Sequence, residues 1–180
     1  HHSKINSKLP GGNTEVKWHQ DFTFTPHTND DVVTALLMID DVTEENGPLE
    51  VAAGSHRGPL YSLWHGGTFT GAFDDQVAAD AQASSSVCLG PAGSVCLMHT
   101  CLMHGSQANR STRPRTLFIC VYSNVDAVPC SPSPMPNKHE GLIVHGEATN
   151  KVRTISYEME LPQLPSTASF FDQQANHPEG

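Results

Sequence analysis

A mainly β domain is the fold class this sequence predicts, and three observations predict it. The 180 residues include 14 Gly and 13 Pro. The apolar segments between them are short and rich in β-branched and aromatic residues, and no long segment carries apolar residues at helical spacing. The length fits one domain, residues 1–180, able to bury a core without disulfides or a structural metal.

Taken in order, "TEVKWHQDF" (14–22) alternates as a strand should, and "DVVTALLMIDDV" (31–42) is a long apolar run that reads as a buried strand. Asn46-Gly47-Pro48 and Gly54-Ser55 are turn chemistry and bracket a short strand from Leu49 to Ala52. Residues 65–86 mix Gly, Ser, Ala and Asp, which predicts a flexible excursion with one helical turn at Asp75 to Ala83 and makes this stretch a lid candidate. "GSVCLMH" (93–99) and "RTLFICVYS" (115–123) are two strands separated by a loop that contains His104. "PCSPSPMPN" (129–137) is a Pro-rich connector, and "TISYEMELPQLP" (154–165) alternates weakly. No internal repeat is present.

Composition removes several function classes. With 19 acidic against 10 basic residues the net charge is −9, which disfavours a nucleic-acid partner. No apolar run approaches the length of a membrane span, and the first residues lack the order of a secretory signal, so a cytoplasmic protein is expected. The five cysteines are an odd number without the spacing of a disulfide scaffold, and read as buried free thiols in a reducing compartment. Cys96 and Cys101 have no second pair to complete a zinc site. His1 and His2 read equally as the end of an affinity tag or as native residues.

"KWHQDFTF" (17–24) sets His19 and Asp21 one residue apart. In an extended strand residues i and i+2 point the same way, so both side chains can reach one metal ion. Two imidazoles and one carboxylate are the ligand set of an iron that keeps positions open for other molecules. His-x-Asp also arises by chance as a solvated pair. A second segment, "LMHGSQANRSTRPRTLF" (102–118), adds His104, Ser106 and Arg115. An arginine beside a hydroxyl suits the far end of a dicarboxylate.

The ordered set "WHQD" (18–21), "NGPL" (46–49), "GSH" (54–56), "HGSQANRS" (104–111) and "RPR" (113–115) resembles the phytanoyl-CoA dioxygenase family of Fe(II)- and 2-oxoglutarate-dependent oxygenases, over residues 2–123. The resemblance implies a double-stranded β-helix, the cupin-like jelly roll, with few short helices. Residue by residue it implies His19, Asp21 and His104 as iron ligands, with Arg115, Ser106 and Asn6 binding 2-oxoglutarate and Lys4 beside them. It further implies hydroxylation of a small molecule with O2, releasing succinate and CO2. Asp21 favours hydroxylation over halogenation, because related halogenases carry a small residue there. The family name is no guide to the substrate, which the loop 23–31, the excursion 65–86 and the segment after Asn124 would select, with Arg153 either holding a substrate anion or lying at the surface. Family members usually carry a helix-rich portion before the strand resembling "HSKINSK" (2–8), so part of the usual N-terminal region is expected to be lacking here.

Arg110 and Arg113 compete with Arg115, and His99 is the fallback for His104. His27, His56, His65, His139, His145 and His177 fit surface, turn or core roles, and "NGPL" and "GSH" read as turns without chemistry. A catalytically inactive cupin-like metal-binding protein is the alternative function. An enzyme using the triad without 2-oxoglutarate is another, for which Arg115 and Ser106 would have no common purpose.

Overall fold

The computed structural model describes residues 1–164 and Gln174; His177 and Pro165 of the weakly alternating segment lie outside the described residues. Ten strands and one helix follow in order: β1 (His2–Lys8), β2 (Val16–His19), β3 (Val32–Met38), β4 (Leu49–Ala52), β5 (Trp64–His65), β6 (Thr68–Phe69), α1 (Asp75–Ala83), β7 (Ser85–Cys88), β8 (Val95–His99), β9 (His104–Ser106) and β10 (Arg115–Ser123). Two 4-stranded sheets, β1-β10-β3-β8 and β2-β9-β4-β7, have antiparallel neighbours throughout. They face each other across a shared interior, the jelly roll of a double-stranded β-helix.

The period of two along each strand decides what enters that interior. β10 turns Arg115, Leu117, Ile119 and Val121 inward, and β3 turns Val32, Thr34, Leu36 and Met38 inward. β1 reverses the usual alternation. Its inward positions are His2, Lys4, Asn6 and Lys8, opposite Val121, Ile119, Leu117 and Arg115, while its one large apolar residue, Ile5, is 73% exposed. A strand that spends its interior positions on polar groups is stable only if the interior uses them. The run 31–42 is buried on one face alone, since Val33 lies on the exposed side of β3.

Leu36, Met38, Val42, Met98, Leu117 and Ile119 form the core between the sheets, and Phe22, Val32, Cys101 and Val121 close one end of it. A second core lies around Trp18 and is built by Leu63, Phe69, Phe73, Ala81 and Met103. This second core corrects the reading of residues 65–86 as a flexible lid with one helical turn. The segment holds the β5–β6 hairpin, a nine-residue helix and β7, and Phe69, Phe73 and Ala81 anchor it. Asp74 caps α1, its carboxylate accepting from Val77 N–H at 2.9 Å, and the Ala-rich turns that follow need no large side chains to stay helical. His104 stands on β9 and not in a loop, and residues 154–164 take no regular structure. Cys101 is the one buried thiol among five free ones; Cys88, Cys96 and Cys120 are half-buried and Cys130 is exposed, which narrows the expectation of buried thiols. No helix among the described residues is long and apolar enough to cross a membrane.

Phe22 is fully buried, with its ring edge-on to Tyr157 at 5.4 Å. Phe22→Ala should therefore cost about 3–5 kcal/mol, read as a lower urea midpoint at an unchanged slope.

Candidate active site

β2 stops at His19, and a 3₁₀ turn begins at Asp21. Gln20 between them is still extended, at φ −119° and ψ 130°, so the side chains of His19 and Asp21 keep the common direction expected from a strand. The Gln20 amide points away and is fully used: Nε2 donates to Cys101 O at 2.8 Å and Pro59 O at 3.1 Å, and Oε1 accepts from Tyr61 N at 3.0 Å. His104 pairs with His19 across the β2–β9 ladder, which brings the two rings to 4.1 Å between centroids. Asp21 Oδ1 lies 3.5 Å from His19 Nε2 and 3.6 Å from His104 Nε2. One ligand atom from each of the three residues falls within 4.8 Å of the other two, the only such group found among the described residues.

The hydrogen bonds behind the rings decide their tautomers. His19 Nδ1 is 2.7 Å from Lys17 O, and His104 Nδ1 is 2.9 Å from Leu102 O. A carbonyl only accepts, so each Nδ1 carries a proton, and Nε2 is the nitrogen that each ring turns toward Asp21, with a free lone pair in the neutral form. Thr34 Oγ1 donates to Asp21 Oδ2 at 3.2 Å and leaves Oδ1 for the centre. Burial pushes His104 down to about 4, helped by the His19 ring and opposed by Asp21. Burial alone would raise the Asp21 pKa, but the neighbouring imidazoles, His104 first, hold it well below the usual carboxylate range whenever they carry a proton toward it. With each Nδ1 committed to a carbonyl, the trio can offer one carboxylate and two Nε2 lone pairs, the donor set a divalent metal ion takes.

A narrow cavity of about 60 Å³ runs from this trio past Lys4, Leu36, Leu49, Met98, Leu117 and Ile119 to Arg115, Asn6 and Ser106. Arg115 is 2% exposed. Its Nη1 donates to Asn6 Oδ1 at 3.2 Å and its Nη2 to Gly47 O at 2.9 Å, while its buried Nε has no partner. A guanidinium with five N–H groups so placed retains donors for a carboxylate. Ser106 Oγ accepts from Lys8 Nζ at 2.7 Å.

The six residues expected from the sequence are thus brought to one cavity. Arg110 and Arg113 are exposed. His99 stands on β8, with its Nδ1 accepting from Cys101 N at 3.1 Å, and joins no cluster with the trio. Arg153 binds Asp31 and Asp126, so it braces the surface and is not held ready for a substrate anion. The reading of "NGPL" as a turn without chemistry needs correction, because the Gly47 carbonyl grips Arg115. Gly47 has φ +74°, and a Cβ there would lie 2.5 Å from Gln107 O. Lys8, Thr34 and Gln20 were not singled out. For Lys8 the signal was present: a lysine at an inward position of β1.

The family model described as "Phytanoyl-CoA dioxygenase (PhyH)" matches residues 1–117. A Stutzerimonas stutzeri protein named "Probable alpha-ketoglutarate-dependent hypophosphite dioxygenase" is 35% identical over 168 residues, covering 90% of this chain and 58% of that protein. EctD from S. alaskensis, solved with bound Fe, is 28% identical at a TM-score of 0.58, covering 69% of this chain and 44% of that one. The same protein with 2-oxoglutarate and 5-hydroxyectoine is 26% identical at a TM-score of 0.60, covering 89% and 55%. This chain therefore spans about half the length of such relatives.

Two outcomes follow from the geometry. His104 binds its proton near 4 in the folded state against an ordinary 6.5, so between those values the unfolded chain holds more protons and stability falls as pH drops. From pH 7 to pH 5 the metal-free protein should lose about 2 kcal/mol more than His104→Gln does, measured by urea denaturation with a chelator present. Gly47→Ala should cost at least about 2 kcal/mol through its positive φ and the blocked Cβ position and should weaken anion binding at Arg115, both readable on one purified variant.

Proposed function

The chain belongs to the phytanoyl-CoA dioxygenase family, and from that premise we propose that it is one catalytic domain of an Fe(II)- and 2-oxoglutarate-dependent dioxygenase that hydroxylates a small molecule. The observation that carries the reading is a single cavity with a metal-ligand trio at one end and a buried arginine, its Nε unpartnered, at the other. The residues fit both absent groups. His19 and His104 would each give Fe(II) one Nε2 lone pair and Asp21 one carboxylate oxygen. Arg115 and Ser106 would hold the far carboxylate of 2-oxoglutarate, with Asn6 fixing the guanidinium.

When bound, Fe(II), 2-oxoglutarate and O2 supply the oxidation, in which 2-oxoglutarate leaves as succinate and CO2 and one oxygen atom enters the substrate as a hydroxyl. The chain's own part is positioning. Three protein ligands leave coordination positions for the cosubstrate and O2. Thr34 keeps Asp21 turned toward its metal-facing oxygen, and the Lys17 and Leu102 carbonyls keep both imidazoles in the ligating tautomer. Leu36, Leu49, Leu117, Ile119 and Met98 exclude water between the two ends. The relatives support the cosubstrate half of this reading, one being named "alpha-ketoglutarate-dependent" and the other having been crystallised with Fe and with 2-oxoglutarate. Those proteins differ in their small molecules, hypophosphite in one name and 5-hydroxyectoine in one crystal. Five free thiols suit the cytoplasmic setting read from the sequence.

The test is an anaerobic titration with Fe(II) and then 2-oxoglutarate, followed by the visible charge-transfer band of the chelate. The wild type should develop the band, His104→Ala should lose it together with iron, and Arg115→Ala should keep iron while needing at least about 10-fold more 2-oxoglutarate. Iron binding without a band in the wild type would instead favour the cupin-like metal-binding protein.

A further inference from the structure

Lys8 is a buried ionisable group that the reading above does not use. It is fully buried at the end of β1, opposite Arg115 in the β1–β10 register. Nζ reaches three oxygens: Ser106 Oγ at 2.7 Å, Ser106 O at 3.0 Å and Gln107 O at 2.5 Å. An ammonium has three donors and no acceptor, so all of its capacity is spent on the segment that carries Ser106. Asn109 Nδ2 adds a return bond to Lys8 O at 2.9 Å. No carboxylate lies within ion-pairing distance of Lys8 among the described residues. Burial, and then Arg115 beside it, lower the Lys8 pKa to about 7, with Glu15 and Glu50 opposing.

The Ser106 hydroxyl is constrained by this arrangement. As an ammonium Lys8 can only donate, so Ser106 Oγ then accepts and its own proton has to point elsewhere. Among the described residues no acceptor for that proton lies within hydrogen-bond distance, and Ser106 lines the cavity beside Arg115. We propose that Lys8 is a positioning residue for cosubstrate binding: by occupying the acceptor side of Ser106 Oγ it turns the hydroxyl proton into the cavity, where it meets the far carboxylate of a 2-oxo dicarboxylate. This rests on the reading of Arg115 and Ser106 as the cosubstrate cradle. Lys8 touches no substrate itself and acts through the serine it orients.

A double-mutant cycle on the Fe(II)-loaded protein, by anaerobic calorimetry, tests this. Lys8→Met and Ser106→Ala should each weaken 2-oxoglutarate about 10-fold with iron affinity unchanged, and Lys8→Met in the Ser106→Ala background should weaken it by less than about 2-fold. 2-Oxobutyrate has the chelating end without the far carboxylate, so its affinity should hold in every variant; a merely structural role would lower both ligands together. Losses that multiply in the double variant, equal losses for the two ligands, or an unchanged affinity in Lys8→Met would each overturn the proposal. If Lys8→Met does not fold, Lys8→Gln, one atom shorter but with two donors, must show the same ligand selectivity in weaker form. A wild type that binds iron but not 2-oxoglutarate would sink the cradle itself, an outcome distinct from a wild type that binds while its variants behave additively.

Discussion

Two cations, Lys8 and Arg115, stand side by side in the interior of a β-sandwich with no carboxylate in ion-pairing distance among the described residues. Burying one such charge costs several kcal/mol unless oxygen atoms replace its water. Here they are a side-chain amide oxygen, a serine hydroxyl and three backbone carbonyls, from Asn6, Ser106, Gly47 and Gln107. This requirement explains several otherwise separate features. The turn at Gly47 has to approach Gln107 closely enough to forbid a side chain, Asn109 has to tie the loop back to Lys8, and β1 has to present polar residues inward.

Dipoles solvate the two cations without neutralising them, so that end of the cavity keeps a positive potential. The other end has the opposite need: the Asp21 carboxylate lies beside two Nε2 atoms whose lone pairs face it when the rings are neutral, a close approach of electron-rich atoms that a divalent cation relieves. A ligand that suits both ends has a chelating group for the cation and an anionic group a few bonds away. A 2-oxo dicarboxylate has both, and the apolar walls between the ends make no demand that its methylene groups fail to meet.

The site was more legible in the sequence than the frame around it. His19 and Asp21 could be paired because the period of a strand is local, and the structure keeps that relation although the strand ends between them. His104, Ser106 and Arg115 came from the ordered resemblance, since nothing in a short "HGS" announces a strand. β9 forms because β2 and β4 flank it, which only the assembled sheet reveals. Residues 65–86 misled for a related reason. Their apolar groups are few and scattered, but Leu63, Phe69, Phe73 and Ala81 converge on Trp18 once the chain is folded. The inverted alternation of β1 is the signal that could have found Lys8. Read as a strand, "HSKINSK" has its only large apolar residue on the wrong face, and local rules fail in this way where function claims the interior.

The same interior divides the molecule by task. The trio and the two cations are carried by strands in registered pairs, whose positions are set by backbone ladders. Next to the trio lies a different construction. Residues 24–31 and the segment beyond Ser123 have little regular structure and are joined by scattered backbone bonds, such as Thr28 N to Val128 O and Cys130 N to Pro26 O, and by side chains: Arg153 to Asp31 and Asp126, Asn29 to Asp126 and Arg153, and the Tyr157 hydroxyl to His27 O. Ladders tolerate few changes of register, whereas bonds between side chains can be replaced one at a time. A fold arranged like this can keep its ladder-borne residues in place while the neighbouring irregular segments change, a division of labour that lets one architecture carry different sites.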